Sequence, residues 1–192
     1  AVGLARFDSL LNFGVTNMTV LAPNNTAFQT LIFGLVFQGY LSTRPTPYTA
    51  IDTATATATA NGAVAAGPAF LSTNNVSTAQ IKGIVAYHLL ASLTTSTTTP
   101  YQPNIRVFSV NIPPLSATPY FIKTLVNGAV SAHPGVMAQA TFTGPVVSSL
   151  KFIGLGNPGG APYLGAAATA VTTDRHAVNG VYHIIDRVLL PL

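Results

Sequence analysis

The sequence predicts an α+β fold, with helices grouped toward the N-terminal half and strands through the remainder, without regular βαβ alternation. Three features of the chain support it. The first is the C-terminal stretch Val178 to Leu192 (VNGVYHIIDRVLLPL), where Asn179-Gly180 marks a tight turn and a β-branched, aromatic run follows. From Val181 to Leu190 only His183, Asp186 and Arg187 break the apolar run, as in a central strand covered on both faces. The second is helical spacing of apolar residues within the first ninety positions. The third is a set of short strand-like runs bounded by Gly, Pro and Asn.

Length and composition bound the chain further. A length of 192 residues suits a single domain, 1–192, with an insertion at about 40–75. Only 6% of residues are charged, against roughly 25% in an ordinary domain. The acids are Asp8, Asp52, Asp174 and Asp186, with no Glu, so the net charge of +4 reflects scarce acids and not a basic cluster. Nucleic-acid binding is therefore not expected. So weakly charged a surface favours association. The absence of Cys excludes disulfides, thiolate metal sites and a Cys nucleophile together. Leu31 to Leu41, the longest strongly apolar stretch, is interrupted by Gly34, Gln38 and Gly39 and is about half the length of a transmembrane span. No basic leader precedes the domain, so an exported form is expected to have lost its signal already.

In chain order, Leu4, Phe7, Leu10 and Leu11 predict an amphipathic helix ended near Asn12 to Asn17. Met18 to Ala22 predicts a strand closed by Pro23. Asn24 or Asn25 caps a helix from Thr26 to about Phe37, with Phe28, Leu31, Ile32 and Leu35 on one face. Asp52 to Ala60 alternates Thr and Ala and runs into Asn61-Gly62, a hairpin pattern; it reads as a projecting β-arm carrying Thr53, Thr55, Thr57 and Thr59, or as a flexible Ala/Thr loop. A helix is expected from about Thr78 to Leu90, burying Ile81, Ile84, Val85 and Leu89. Thr94 to Pro100 reads as a loop, and Ile105 to Ile112 as a strand stopped by Pro113-Pro114. Phe121 to Val126 is a strand or short helix before Asn127-Gly128. Val146 to Leu155 leads into the turn cluster Gly156 to Gly160, and Ala166 to Thr172 is a strand or short helix.

Three blocks taken together resemble a fasciclin-like domain. Thr19-Val-Leu-Ala-Pro23-Asn-Asn-Thr-Ala-Phe28 is similar to the family's first signature, Tyr87-His88 to its central Tyr-His motif, and Asn179-Gly180-Val-Tyr-His183-Ile-Ile-Asp186-Arg-Val-Leu-Leu-Pro191 to its C-terminal signature. Their order and their span cover nearly the whole chain. The resemblance implies a wedge of two β-sheets with a helical layer, in secreted or surface-anchored proteins that mediate adhesion and matrix or envelope contacts. Thr26 stands where an acidic residue is usual. Arg175 follows Asp174 where an aliphatic residue is frequent; an Asp-aliphatic pair near there is linked to integrin binding in some animal members, and the resemblance does not extend to that activity.

Chemistry outside the resemblance is sparse. Asp174, His176 and His183 give a two-His-one-carboxylate set on paper, but a His in an apolar strand more often stays neutral and bonds a backbone carbonyl. There is no Gly-x-Ser-x-Gly, no paired carboxylates and no Lys-Ser/Thr after the Gly156 to Gly160 cluster, so neither an enzyme nor a cofactor is expected. Tyr87 and His88 carry an adhesion role by the resemblance, or close the end of a buried helix by satisfying backbone groups. Asp186 is expected to accept bonds from amides at the start of the first helix. Asn17-Met-Thr, Asn24-Asn-Thr and Asn75-Val-Ser are glycosylation triplets if the host glycosylates.

The expectation is an extracellular or cell-surface, non-enzymatic adhesion or structural module, self-associating as a homo-oligomer, layer or fibre through the Thr/Ala arm. The alternative is a monomeric module for a matrix or cell-surface polysaccharide, or for an apolar ligand held between sheet and helices.

Overall fold

Two runs from opposite ends of the chain, Met18–Pro23 and Gly180–Ile185, lie side by side in parallel as the second and third strands of a seven-stranded sheet. The structure, a computed structural model, describes residues 18–67, 78–90, 105–114, 120–128, 132–157 and 167–191. In chain order the elements are β1 (Met18–Pro23), α1 (Asn25–Leu41), α2 (Ala50–Ala66), α3 (Thr78–Tyr87), β2 (Leu89–Leu90), β3 (Tyr120–Ile122), β4 (Val136–Thr143), β5 (Val146–Ile153), β6 (Ala168–Ala177) and β7 (Gly180–Ile185). The expected helix at Leu4 to Leu11 and the Thr94 to Pro100 loop lie outside the described residues. No described helix is long and apolar enough to cross a membrane.

One mixed sheet orders its strands β2-β1-β7-β6-β5-β4-β3. The expected two sheets survive only as two ladders, β2-β1-β7-β6 and β5-β4-β3, joined through the pairs Lys151↔Thr169 and Phe152↔Ala168. An antiparallel bridge from Leu90 to Thr124 ties β2 to the residues just past β3, so the two edges meet and the sheet curls toward closure. Inside the curl, Leu21, Tyr87, Leu90, Ile112, Val136, Leu150, Phe152, Ile185 and Leu189 form the main core. The period of two explains the selection: Val136, Ala138 and Ala140 are buried on β4, and Val181, His183 and Ile185 on β7.

Three strand-level readings change. Residues 105–112 do not form a strand; Ser109–Asn111 is a short helical turn because the Ser109 amide and hydroxyl donate to the Asp174 carboxylate, at 2.7 and 2.5 Å. Leu89 and Leu90 leave the helix for β2, pairing with Val20 and Thr19. β4, unread in the sequence, is announced by Gly144-Pro145, whose Gly144 takes φ +61° in the two-residue turn to β5.

The largest correction concerns Asp52 to Ala66. Thr53, Thr55, Thr57, Thr59, Asn61 and Gly62 lie within α2 and form no hairpin arm. Strict alternation places Ala at every second position and therefore at every fourth, so one pattern serves both a strand face and a helix stripe. Local chemistry decides for the helix. Thr49 and Asp52 form a reciprocal capping box, and Ala is the best helix former. The Thr53, Thr55, Thr57 and Thr59 hydroxyls each donate to the carbonyl four residues earlier. Gly67 ends the helix at φ +59°. Ala56 and Ala60 are wholly buried against Phe37 and Leu41 of α1, with Phe33, Val36 and Tyr40 around them.

Helix and hairpin make opposite forecasts for two alanines. On a strand Ala58 and Ala60 share a face; on α2 only Ala60 is buried. Ala60→Leu is expected to cost about 1–3 kcal/mol by overpacking against α1, while Ala58→Leu stays within about 0.5 kcal/mol of the parent. Urea unfolding of the two variants measures the difference.

Candidate functional site

The three sequence blocks converge on the seam between β1, β7 and the end of α3. Thr19 is fully buried on β1 and uses its hydroxyl twice, donating to the Ile105 carbonyl and accepting from the Val107 amide, each at 2.8 Å. Pro23 ends β1 opposite Ile185, and Asn24 caps α1 by accepting from the Ala27 amide at 2.8 Å. Gly180 sits against Met18 so closely that a Cβ there would fall on the Met18 carbonyl. The Met18 amide donates to the Asn179 carbonyl at 2.9 Å, so the turn before β7 is tied directly to the start of β1.

Tyr87 and His88 close α3 inside the protein. The Tyr87 hydroxyl donates to the Gly135 carbonyl at 2.8 Å and accepts from the Leu155 amide at 3.2 Å; burial pushes its pKa up to about 12. His88 donates from Nδ1 to the Ile84 carbonyl at 2.7 Å and accepts at Nε2 from the Leu189 amide at 3.0 Å. Burial pulls its pKa down to about 4, against the smaller opposing effect of the Ile84 bond.

Two further buried histidines repeat the pattern. His183 donates from Nε2 to the Val107 carbonyl at 2.9 Å and accepts at Nδ1 from the Asp174 amide at 3.3 Å. Burial lowers its pKa, outweighing the Val107 bond and the Asp174 carboxylate. His133 donates from Nε2 to the Pro191 carbonyl at 3.1 Å and accepts at Nδ1 from the Gly135 amide at 3.0 Å, with its ring edge-on to Tyr87. Each imidazole is thus a neutral bridge between one backbone N–H and one backbone C=O.

Ser109, Asp174 and His183 stand together, yet not in the order of a hydrolytic triad. The Ser109 hydroxyl donates to the carboxylate and both His183 nitrogens are engaged by backbone, so no imidazole faces the hydroxyl. His176 is exposed and rests against the Phe108 ring at 5.5 Å, apart from the metal set drawn in the sequence. Among the described residues no three His or Asp side chains are placed to hold a metal. Asp186 was expected to accept from the start of α1; its carboxylate instead accepts from the Thr169 amide of β6 at 2.7 Å, and its own amide returns a bond to the Thr169 carbonyl at 3.1 Å.

The feature the sequence did not place is an apolar groove. α1 is apolar around most of its circumference, so it serves two partners. Phe33, Phe37 and Leu41 face α2; Phe28, Leu31, Ile32 and Leu35 face away from it and, with Ile81, Ile84 and Val85 of α3 and Val20 to Pro23 of β1, line a cavity of about 270 Å³. Phe28 and Leu35, on the one face the spacing predicts, are each 43% exposed at this groove.

The histidine bridges make stability depend on pH in one direction. With a folded pKa near 4 against an ordinary 6.5, His88 binds fewer protons folded than unfolded between those values, so its contribution is complete above pH 6.5 and lost as pH falls toward 4. His88 alone is expected to remove on the order of 3 kcal/mol over that window, and His183 adds a loss of the same sign. Urea midpoints at pH 7 and pH 4 read it, and His88→Leu, though weaker at pH 7 for leaving the Leu189 amide unpaired, gives a flatter profile.

No family model and no curated protein matches the chain. Among solved structures it is similar to a FAS1 domain pair from the insect cell adhesion molecule fasciclin I, at 16% identity and a TM-score of 0.43. The likeness covers 98% of this chain and 40% of that one.

Proposed function

We propose that this chain is a non-catalytic adhesion or structural module of the extracellular space or cell surface, working through contacts of its weakly charged exterior. The observation that supports it most is how the block residues are used. Thr19, Tyr87, His88, His183 and Asp186 all direct their polar atoms to backbone groups of the same chain. They hold the scaffold. Apart from scattered Lys and Arg, what faces outward among the described residues is largely small, hydroxylated or apolar, including Ile51 at 78% exposure on α2 and Val178 at 94% on the turn before β7. Copies associate through such surfaces, without a strand arm. Deleting 52–66 is no test of this, because it strips the cover from Phe37 and Leu41 of α1.

A second reading, a binding module for an apolar ligand, is favoured by the groove between α1, α3 and β1.

Light scattering over a wide concentration range is expected to give a mass that rises with concentration and changes little with added salt, since few charges meet at the contacts. A constant monomer mass overturns the assembly part of the proposal. Tyr87→Phe removes the hydroxyl that bridges Gly135 and Leu155 and is expected to cost about 1–3 kcal/mol, with the concentration-dependent mass unchanged. A variant that stays fully stable yet no longer associates places Tyr87 at a contact instead.

A further inference from the structure

The groove does not stop at the edge of the helices. A second cavity of about 240 Å³ lies on the same outer face of the sheet, between Met18, Val20 and Ala22 of β1 and Gly180 and Tyr182 of β7. Met18, Val20 and Ala22 project to one side of β1, and the parallel register sets Gly180 beside Met18 and Tyr182 beside Val20. Val20 and Ala22 line both cavities, so the two are halves of one furrow along β1. A six-residue strand gives that furrow a floor of about 20 Å.

Its chemistry is as one-sided as its shape. Among the described residues no Lys, Arg or Asp lines either half. The polar side chain in the larger half is His88, whose two ring nitrogens are engaged by Ile84 and Leu189. In the larger half a ligand headgroup would lose its hydration without gaining a partner among the described side chains, whereas the smaller half carries polar atoms at Asn179 and Tyr182. A long, narrow, apolar furrow accepts a chain laid along the strand and leaves a compact polycycle touching only one half.

We propose that the furrow binds the single unbranched hydrocarbon chain of a monomeric, uncharged amphiphile, with the headgroup left in solvent. This rests on the apolar-ligand reading above and deepens it by naming the ligand class. Leu35, 43% exposed, edges the half under the helices, and Tyr182 borders the other half. A short chain occupies one half; a longer one continues past Val20 into the next.

Calorimetric titration of the protein with octanol, decanol and dodecanol, each below its solubility limit, tests it, with adamantanol as the compact comparison. Saturable binding is expected, tightening about three- to fourfold per added methylene and weaker for adamantanol than for dodecanol. Leu35→Gln weakens every alcohol, Tyr182→Asn removes most of the advantage of dodecanol over octanol, and Val178→Gln, on an exposed turn, changes nothing. Adamantanol bound as tightly as dodecanol, with no trend in chain length, overturns the chain inference and leaves the apolar-ligand reading standing. Absence of binding by all four overturns both. A heat of dilution of the protein alone that disappears in Leu35→Gln makes the furrow an interface between copies, and likewise overturns the inference.

Discussion

The structure depends on the parallel pairing of β1 with β7. It joins residues about 160 positions apart, from Met18↔Gly180 to Pro23↔Ile185, and so fixes the two ends of the described chain to each other. A contact of such sequence separation carries a loop-closure cost that local pairing avoids. The packing here is correspondingly exacting. Gly180 has no room for a Cβ against the Met18 backbone, and the Met18 amide is taken by the Asn179 carbonyl. Everything else attaches to this pair: β2 and the end of α3 on one side, β6 and the second ladder on the other.

Polar residues in that seam serve the backbone. Irregular segments leave amides and carbonyls that neither helix nor sheet satisfies, and a buried unpaired group costs about as much as a lost hydrogen bond. Here the stretch Val188 to Pro191 runs past β7 without a strand partner. His88 accepts from Leu189, His133 donates to Pro191, and Asn157 donates to Val188 while accepting from Leu190. A neutral imidazole is well suited to the task because it presents one donor and one acceptor on opposite sides of a small ring. Its weakness is that the same ring, protonated, has two donors and no acceptor. In a chain with four Asp and no Glu, the loss of the His88 and His183 bridges stands out in the acid response.

What could be read in the sequence was what local chemistry decides alone. Asn24 before an apolar run fixed the start of α1, and Asn179-Gly180 fixed the turn into β7. Gly144-Pro145 carried an equally local signal for the β4–β5 turn, and it went unread. Other segments were settled by partners far away in the chain. The alternation in residues 105–112 favours a strand, but Asp174, 65 residues on, captures Ser109 and turns the segment. The Thr/Ala stretch is ambiguous in pattern, and a capping box together with the apolar side of α1 resolved it. The groove escaped for a related reason. An apolar stripe at Phe28, Leu31, Ile32 and Leu35 says that a helix face wants cover, and nothing in that spacing says which of two apolar faces the fold will cover.

That surplus of apolar helix surface links the composition to the furrow. With 6% charged residues, the chain has little with which to mark a face as outward by charge, and α1 carries no acidic residue in its first turn and no basic one in its last. Tertiary packing therefore chooses its faces. α2 takes one side, because Ala56 and Ala60 let the two backbones approach closely around Phe37 and Leu41. The other side meets β1 and α3 across a gap that Ile81, Ile84 and Val85 border without filling. Phe28 and Leu35 stay at the rim, each leaving apolar surface partly in water. The exterior that replaces charge with hydroxyls and methyls is thus uneven, and its most apolar part lies over the strand that the whole fold is built on.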